Sequence, residues 1–342
     1  MAWAAFDGVL LPDGVETRVE VGVGDAVLLP GRYALAGLVD AHCHLTVTTD
    51  SQGPYVDGSI AERRLDELAA GGVGLVRDVG GDRAVTLPLG RTSCTGRPEV
   101  VAAGRFLAPA GRYFPRMHEP VPVDDLVAAV EREIADGASW VKLIADFPVM
   151  DGAVPRRGTN APTYPIEVVT AAIAAAHRAG ARVAAHTNDA VVSALIAAGV
   201  DSVEHGGALN DADLEKLAAA GGAWTPTLCA SIGVMRRGNE EARRRAAEQS
   251  ERYRMLIPRA VELGVTVMTG SDVIGSVAEE IAMLFEHGLT PEQALDAAVG
   301  APRAYLDRPG GDDLVSYAAD PRDNPEVLAT PAAVVLRGHR VR

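Results

Sequence analysis

SWVKLIADF, residues 139–147, is the stretch on which the fold turns. It is short and apolar, with branched and aromatic side chains at most positions, and it lies between two helical patterns. VDDLVAAVEREIADGA (123–138) precedes it and PIEVVTAAIAAAHRAG (165–180) follows it. In both patterns the apolar residues recur at helical spacing, and a glycine near the end supplies a C-cap. A buried strand set between two such helices is the repeating unit of a parallel sheet with right-handed crossovers.

Working outward, the same unit recurs. Further apolar strand candidates fall at 34–43, 74–79, 99–105, 182–187, 201–205, 223–229 and 265–271, with helix patterns such as SIAERRLDELAAGG (59–72) and NDADLEKLAAAGG (210–222) between them. With 140–146 this makes eight strand–helix units, which predicts an α/β fold of the closed (β/α)8 TIM-barrel type over residues 34–312. A doubly wound sheet is the alternative, but no Gly-x-Gly-x-x-Gly follows the first strand to favour a dinucleotide version. The flanks lack the helical alternation. Residues 1–33 and 313–342 read as β-strands from both chain ends that pair into a small accessory β-domain. TPEQALDAAVGAPRAYL (290–306) is expected as one long helix after the barrel, and EEARRRAAEQSERYR (240–254) as a helix with a solvated, charged face.

Composition narrows the function. The net charge of −14 argues against nucleic acid as a partner. No stretch reaches the roughly 18 apolar residues of a membrane span, and the N-terminus lacks a basic, signal-like start. Cys43, Cys94 and Cys229 are far apart, which suggests a reducing compartment and predicts a cytoplasmic location. A small-molecule substrate is the expected partner, with room left for a homo-oligomer.

The chemistry collects at predicted strand ends. His42 and His44 form H-x-H in VDAHCHL, and residues i and i+2 of a strand share a side. His186 closes the fifth strand, His205 the sixth, and Asp272 follows the eighth. In a barrel these ends ring one mouth, and four imidazoles with a carboxylate make a ligand set for a borderline divalent metal. Lys142 stands in the middle of the fourth strand. The chain has 32 lysines and arginines but only two lysines, Lys142 and Lys216. A buried lysine readily loses its proton, and the neutral amine can add CO2 to give a carbamate whose two oxygens can bridge two cations. Arginine cannot do this.

The ordered segments GLVDAHCHL, WVKLIADF, AAHTND, SVEHGG and TGSD resemble the amidohydrolase superfamily over nearly the whole chain, in particular its binuclear, prolidase-type and imidazolonepropionase-type members. The resemblance implies two divalent ions, zinc by default. His42, His44 and Asp272 would hold the more buried ion and His186 and His205 the more exposed one, with carboxylated Lys142 as the bridge. It implies a hydroxide between the ions that attacks an amide, peptide, lactone or ester carbonyl, and Asp272 as general base and then general acid. One departure falls in a substrate loop. Where relatives carry Gly-Gly-His after the third strand, this chain has PAGRYFP with Arg112.

Arg112, Tyr113 and His118 in that loop are the candidate substrate-binding residues. Arg112, Arg116, Arg156 and Arg157 are read either as clamps for a substrate carboxylate or as solvated loop charges. A mononuclear deaminase of a heterocycle is the alternative function. Such enzymes usually lack the bridging lysine and place a glutamate near the fifth-strand histidine, where this chain has Asn188 and Asp189. A catalytically dead scaffold would be expected to lose ligands, and none is lost.

Overall fold

A computed structural model describes residues 3–21, 26–92 and 94–342. Residues 22–25, inside the expected N-terminal β-run, lie outside the described residues, as do residues 1, 2 and 93.

The fold is mixed α/β, built on parallel strands met in chain order. They are β1 (Leu38–Cys43), β2 (Val73–Asp78), β3 (Glu99–Ala102), β4 (Trp140–Ile144), β5 (Arg182–Thr187), β6 (Ser202–His205), β7 (Ala223–Thr225) and β8 (Thr266–Val267). β1, β2 and β3 form one parallel sheet. β4 to β8 form another, with the short strand Phe106–Leu107 beside β4. Past β8 the chain runs along β1. Ala41 N donates to Thr269 O at 2.9 Å, Asp272 N donates to His42 O at 2.7 Å, and Cys43 bridges Asp272 in parallel. Because all these strands point the same way, their C-terminal ends gather on one side.

The strand positions match the sequence reading, and their lengths are shorter where the chemistry of the chain requires it. The seventh, expected to reach residue 229, stops at Thr225 because Pro226 has no N–H for the ladder. β1 carries a register irregularity between Asp40 and Cys43, a feature that re-aims side chains at a strand end. Inward residues Val39, Ala41, Leu75, Val101, Trp140, Ala184, Ala223 and Met268 pack with one another between the strands. Outward residues such as Val141, Leu143, Val183 and Val203 belong to the core shared with the helices.

The helices that follow the strands include α1 (Ala61–Ala70), α2 (Leu126–Ala135), α3 (Ile166–Arg178), α4 (Asp211–Ala219), α5 (Glu240–Leu263) and α6 (Val277–Glu286). The single helix expected over 290–306 is instead two, Pro291–Asp296 and Gly300–Tyr305. Val299 between them is non-helical (φ −130°, ψ −77°), and Pro302 cannot donate into a continuous helix. Among the described residues no helix is long and apolar enough to cross a membrane.

Both chain ends enter one further sheet. Trp3–Leu10 pairs with Val15–Val21, Ala26–Leu28 and Tyr33–Leu35, and the last of these pairs antiparallel with Leu314–Tyr317. Ala333–Leu336 and His339–Arg340 complete it. Phe6, Leu29, Ala34, Leu314, Ala333 and Val335 form its own buried cluster.

Candidate metal centre

The strand ends bring the sequence-predicted residues together. His42, from β1, and His44, just beyond it, have ring centroids 5.3 Å apart. His42 and His205 are 5.0 Å apart and His186 and His205 are 4.5 Å apart. One ligand atom each from His42, His44 and Asp272 lie within 4.8 Å of one another. His44 Nε2 is 3.4 Å from Asp272 Oδ1.

Hydrogen bonds on the far side of three rings set their tautomers. His42 Nδ1 lies 2.6 Å from Glu204 Oε2, and His44 Nδ1 lies 2.8 Å from Gly80 O. A carboxylate and a carbonyl only accept, so both Nδ1 atoms carry the proton. His205 Nδ1 lies 2.6 Å from Thr227 Oγ1, whose own hydrogen goes to Pro226 O at 2.8 Å, so this Nδ1 also donates. Each imidazole is left with an unprotonated Nε2 lone pair, the arrangement found in metal-ligating histidines. Burial, followed by the Lys142 charge, pushes His42 and His186 down to about 4, and burial also holds His205 well below the ordinary range. Neutral imidazoles are the metal-binding form. Burial would raise the Asp272 carboxyl, but the polar His44, His42 and His205 rings around it hold it well below the usual carboxylate range.

Lys142 lies on β4, with Phe106 and Ala184 as its strand partners, and is 1 % exposed. Its Nζ is buried and has no hydrogen-bond partner. Burial pushes the amine down to about 8, against the pull of Glu204 and Asp272. An ammonium left without a partner at such depth is costly. The orphaned amine, the free Nε2 lone pairs and the Asp272 carboxylate are a donor set that fits divalent ions.

The backbone is strained at this point. His205 (φ 66°), Thr227 (φ 48°) and Asp272 (φ 55°) all occupy the left-handed region, which is uncommon for residues other than glycine and tends to cluster at functional sites. His205 is held there by its carbonyl, which accepts from Trp224 Nε1 at 2.9 Å and Tyr253 OH at 3.0 Å. Tyr253 belongs to α5, and Arg252 of the same helix donates to the carbonyls of Gly207 and Leu209. The helix expected to be a solvated face thus anchors the His205 loop on its buried side. At Gly270 a Cβ would come within 2.6 Å of the His42 Cβ, so only glycine lets the chain past β8 approach β1 this closely.

Sequence reasoning missed Glu204 and Arg77. Both are fully buried. Arg77 Nη2 donates to Glu204 Oε1 at 2.8 Å, Arg77 Nε donates to Ala41 O at 2.6 Å, and the guanidinium sits 4.5 Å over the Trp140 ring. The signal was available: each is a charged residue in an apolar strand, in GLVRDV and DSVEH, the same anomaly that singled out Lys142.

A cavity of about 320 Å³ opens onto His42, His44, Lys142, His186, His205 and Asp272. Tyr113 lines it. Arg112 does not reach it, because its guanidinium donates to Phe147 O and Ala161 O and ties the two covering loops together. His118 is turned away too: its Nδ1 donates to Phe114 O at 3.0 Å, and it lines a separate depression with Arg105 and Arg116. The hairpin Val47–Asp50 with Gly53–Val56, which the sequence reading did not anticipate, adds Thr49 and Pro54 to the wall. A larger cavity of about 520 Å³ lies beside α1 and only edges His44 and Asp272. It contains neither His42, Lys142, His186 nor His205, so the smaller cavity is the one that faces the cluster.

Known proteins resemble this chain over much of its length. An uncharacterized protein of Mycobacterium tuberculosis (strain ATCC 25618 / H37Rv) is 34% identical over 363 residues, covering 97% of this chain and 94% of that one. An imidazolonepropionase of Micrococcus luteus is 27% identical over 246 residues, covering 59% and 54%. A crystal structure of a Xaa-Pro dipeptidase with bound methionine in the active site superposes with a TM-score of 0.80 at 22% identity, covering 99% of each chain. The amidohydrolase family matches residues 33–305, most of the chain and every residue of the cluster. The chain belongs to the amidohydrolase family and is an enzyme of its carbon–nitrogen hydrolase type.

Proposed function

We propose that this protein is a binuclear metal-dependent hydrolase that cleaves an amide or peptide C–N bond, with the related lactone or ester reaction open to the same machinery. The observation that carries the proposal is the orphaned, buried Lys142 amine among three imidazoles whose Nε2 lone pairs are free. The proposal includes closure of the eight parallel strands into a (β/α)8 barrel over 34–312, which the hydrogen bonds from the 269–272 segment to β1 support. It also treats the sheet of both chain ends as an accessory β-domain.

In this reading His42, His44 and Asp272 hold one divalent ion and His186 and His205 a second, zinc being the expected metal. Bound there, the ions would supply Lewis acidity, lowering the pKa of a water and polarising the scissile carbonyl. Lys142, as a carbamate, would help to hold both ions. Its neutral nitrogen forms a bond to the carbon of CO2, one proton leaves to solvent, and the product is an anion with two oxygens. Asp272, held ionised among the imidazoles, accepts a proton from the attacking water and returns it to the leaving nitrogen. Glu204 keeps His42 in the required tautomer.

Glu204, the strand partner of His186, is committed to His42 and Arg77, and no Glu stands just after His186 in the chain, which weighs against the deaminase alternative. Asn188 and Asp189 stand there, and Asn188 N and Asp189 N both donate to Asp146. The test is metal analysis of protein prepared without chelator, together with hydrolysis of a panel of amides, dipeptides and lactones before and after chelation. The expected result is two divalent ions per chain and activity lost on chelation and regained on adding zinc. Full activity with one ion per chain would move the reading to the mononuclear branch.

A further inference from the structure

We infer that this site takes an uncharged substrate, with an aromatic or branched aliphatic group beside the scissile bond, and discriminates against a partner molecule that carries a free carboxylate. The inference rests on the hydrolase reading above and goes beyond it to the substrate class.

The first observation is the wall. Beyond the metal-centre residues, the cavity is faced by Tyr113, Phe114, Met117, Phe147, Val273 and Ile274. The aromatic residues form one packed group: Tyr113 and Phe147 have ring centroids 4.9 Å apart at 71°, and Phe114 and Phe147 5.3 Å apart at 70°. Tyr113 also packs on Phe106 at 5.2 Å. Rings locked edge to face present a rigid apolar surface that suits another ring or a branched chain. At about 320 Å³ the cavity is of a size for a small molecule.

The second observation is where the cations are. Among the described residues, Lys142 is the only lysine or arginine that lines this cavity, and it lies at the bottom, in the metal centre. Each arginine with a claim to clamp a carboxylate is occupied or displaced. Arg112 serves two backbone carbonyls. Arg116 makes a two-pronged pair with Asp50 at 2.7 and 2.9 Å. Arg157 pairs with Glu241, and Arg156 is exposed off the cavity wall. In the larger neighbouring cavity Arg63 pairs with Glu67 and Arg64 donates to His44 O. A substrate carboxylate at the end away from the metal centre would therefore lose its water against rings and aliphatic side chains with no lysine or arginine to pair it, which is strongly unfavourable. The net charge of −14 adds to the disfavour.

The reaction such a substrate would undergo balances with water alone. The carbonyl carbon gains the hydroxyl of water, the C–N bond breaks, and the remaining proton leaves with the amine.

The test uses metal-loaded wild-type protein and matched pairs of acyl anilides, one with an unsubstituted anilide ring and its twin with a carboxylate at the far end of that ring. The neutral member should have a kcat/KM at least about tenfold higher in each pair. A twin cleaved as well or better overturns the inference. If no pair turns over, the hydrolase reading is at fault, and calorimetric titration with the same pairs still reads the preference. At least about tenfold tighter binding of the neutral member supports the inference. Equal binding, a preference for the twin, or no binding of either overturns it. Ile274, 61 % exposed at the rim, gives a second measurement. Ile274→Arg should shift the ratio at least about tenfold toward the carboxylate twin. An unchanged ratio would remove missing charge as the origin of the preference.

Discussion

Glu204 accepts from His42 Nδ1 across 2.6 Å, and neither side chain is more than 1 % exposed. Arg77 takes the other carboxylate oxygen at 2.8 Å, so a buried cation, a buried anion and a histidine run in line to the centre. Burial alone would raise the Glu204 carboxyl, but Arg77 and His42 hold it well below the usual range. The consequence is a fixed ring with one lone pair facing the metal side.

Replacing that anion separates its two roles. Glu204→Gln keeps the shape but offers one acceptor oxygen where three donors, from His42, Arg77 and Ser202, converge. Metal affinity should fall roughly 10–100-fold, as is typical when a partner of a ligating histidine is lost. Stability should fall by about 3–5 kcal/mol because Arg77 remains buried without its counter-charge. Chelator competition and urea unfolding measure the two effects separately. Wild-type metal affinity in a destabilised variant would leave Glu204 with a purely structural role.

Lys142 can be tested by its chemistry. Lys142→Arg preserves the positive charge and cannot form a carbamate, so it should lose metal and activity. Turnover should fall at least about a hundredfold if about 3 kcal/mol of transition-state stabilisation goes with it. Lys142→Ala leaves space in which added acetate or propionate can stand in for the carbamate and restore some activity. A structural lysine predicts the reverse order: arginine tolerated, and no rescue of alanine by small acids. Near-normal turnover in the arginine variant would end the carbamate hypothesis.

Periodicity was enough to read the strands and their order, because a buried strand between amphipathic helices has few other ways to fold. The clustering of His42, His44, His186, His205 and Asp272 followed from that order, since parallel strands put their ends on one side. What stayed hidden depended on distances between elements remote in sequence. Arg112 looked free for a substrate because nothing in PAGRYFP indicates that Phe147 O and Ala161 O will lie within reach. The break at Val299 was missed because the apolar spacing continues through it, while the local backbone does not.

Arg112 now has a different expected phenotype. Its guanidinium joins the loop after Phe106–Leu107 to the loop after β4, and Met150 N reinforces the joint by donating to Gly111 O at 2.9 Å. Arg112→Ala should cost about 2 kcal/mol by leaving two carbonyls short of a charged donor. It should raise KM for neutral and carboxylate substrates alike, because Tyr113 and Phe147 lose their relative positions. A KM defect confined to carboxylate substrates, with stability intact, would return Arg112 to the binding site.

Glu280 makes the last prediction, on pH. It is a fully buried α6 residue whose carboxylate accepts from Leu228 N at 2.8 Å and Cys229 N at 2.9 Å. Those residues open the π-helical turn Cys229–Gly233, which carries Ala230 to the cavity wall. Burial raises the Glu280 carboxyl from its ordinary 4.5 to about 7, with Asp40 pushing the same way and the two N–H groups and the Cys229 thiol pulling back. The folded protein therefore keeps a proton that the unfolded chain releases near 4.5. The contribution is fully present below that pH and is lost as pH rises through 7, a swing of ~3 kcal/mol. Glu280→Gln does not titrate. Its stability relative to wild type should improve by ~3 kcal/mol between pH 4.5 and pH 8, with most of the gain complete by pH 7. Urea unfolding of both proteins across that range measures the difference, in which groups unaffected by the substitution cancel. A gap that stays constant with pH would mean that Glu280 titrates alike in the folded and unfolded protein, with the two backbone donors offsetting its burial.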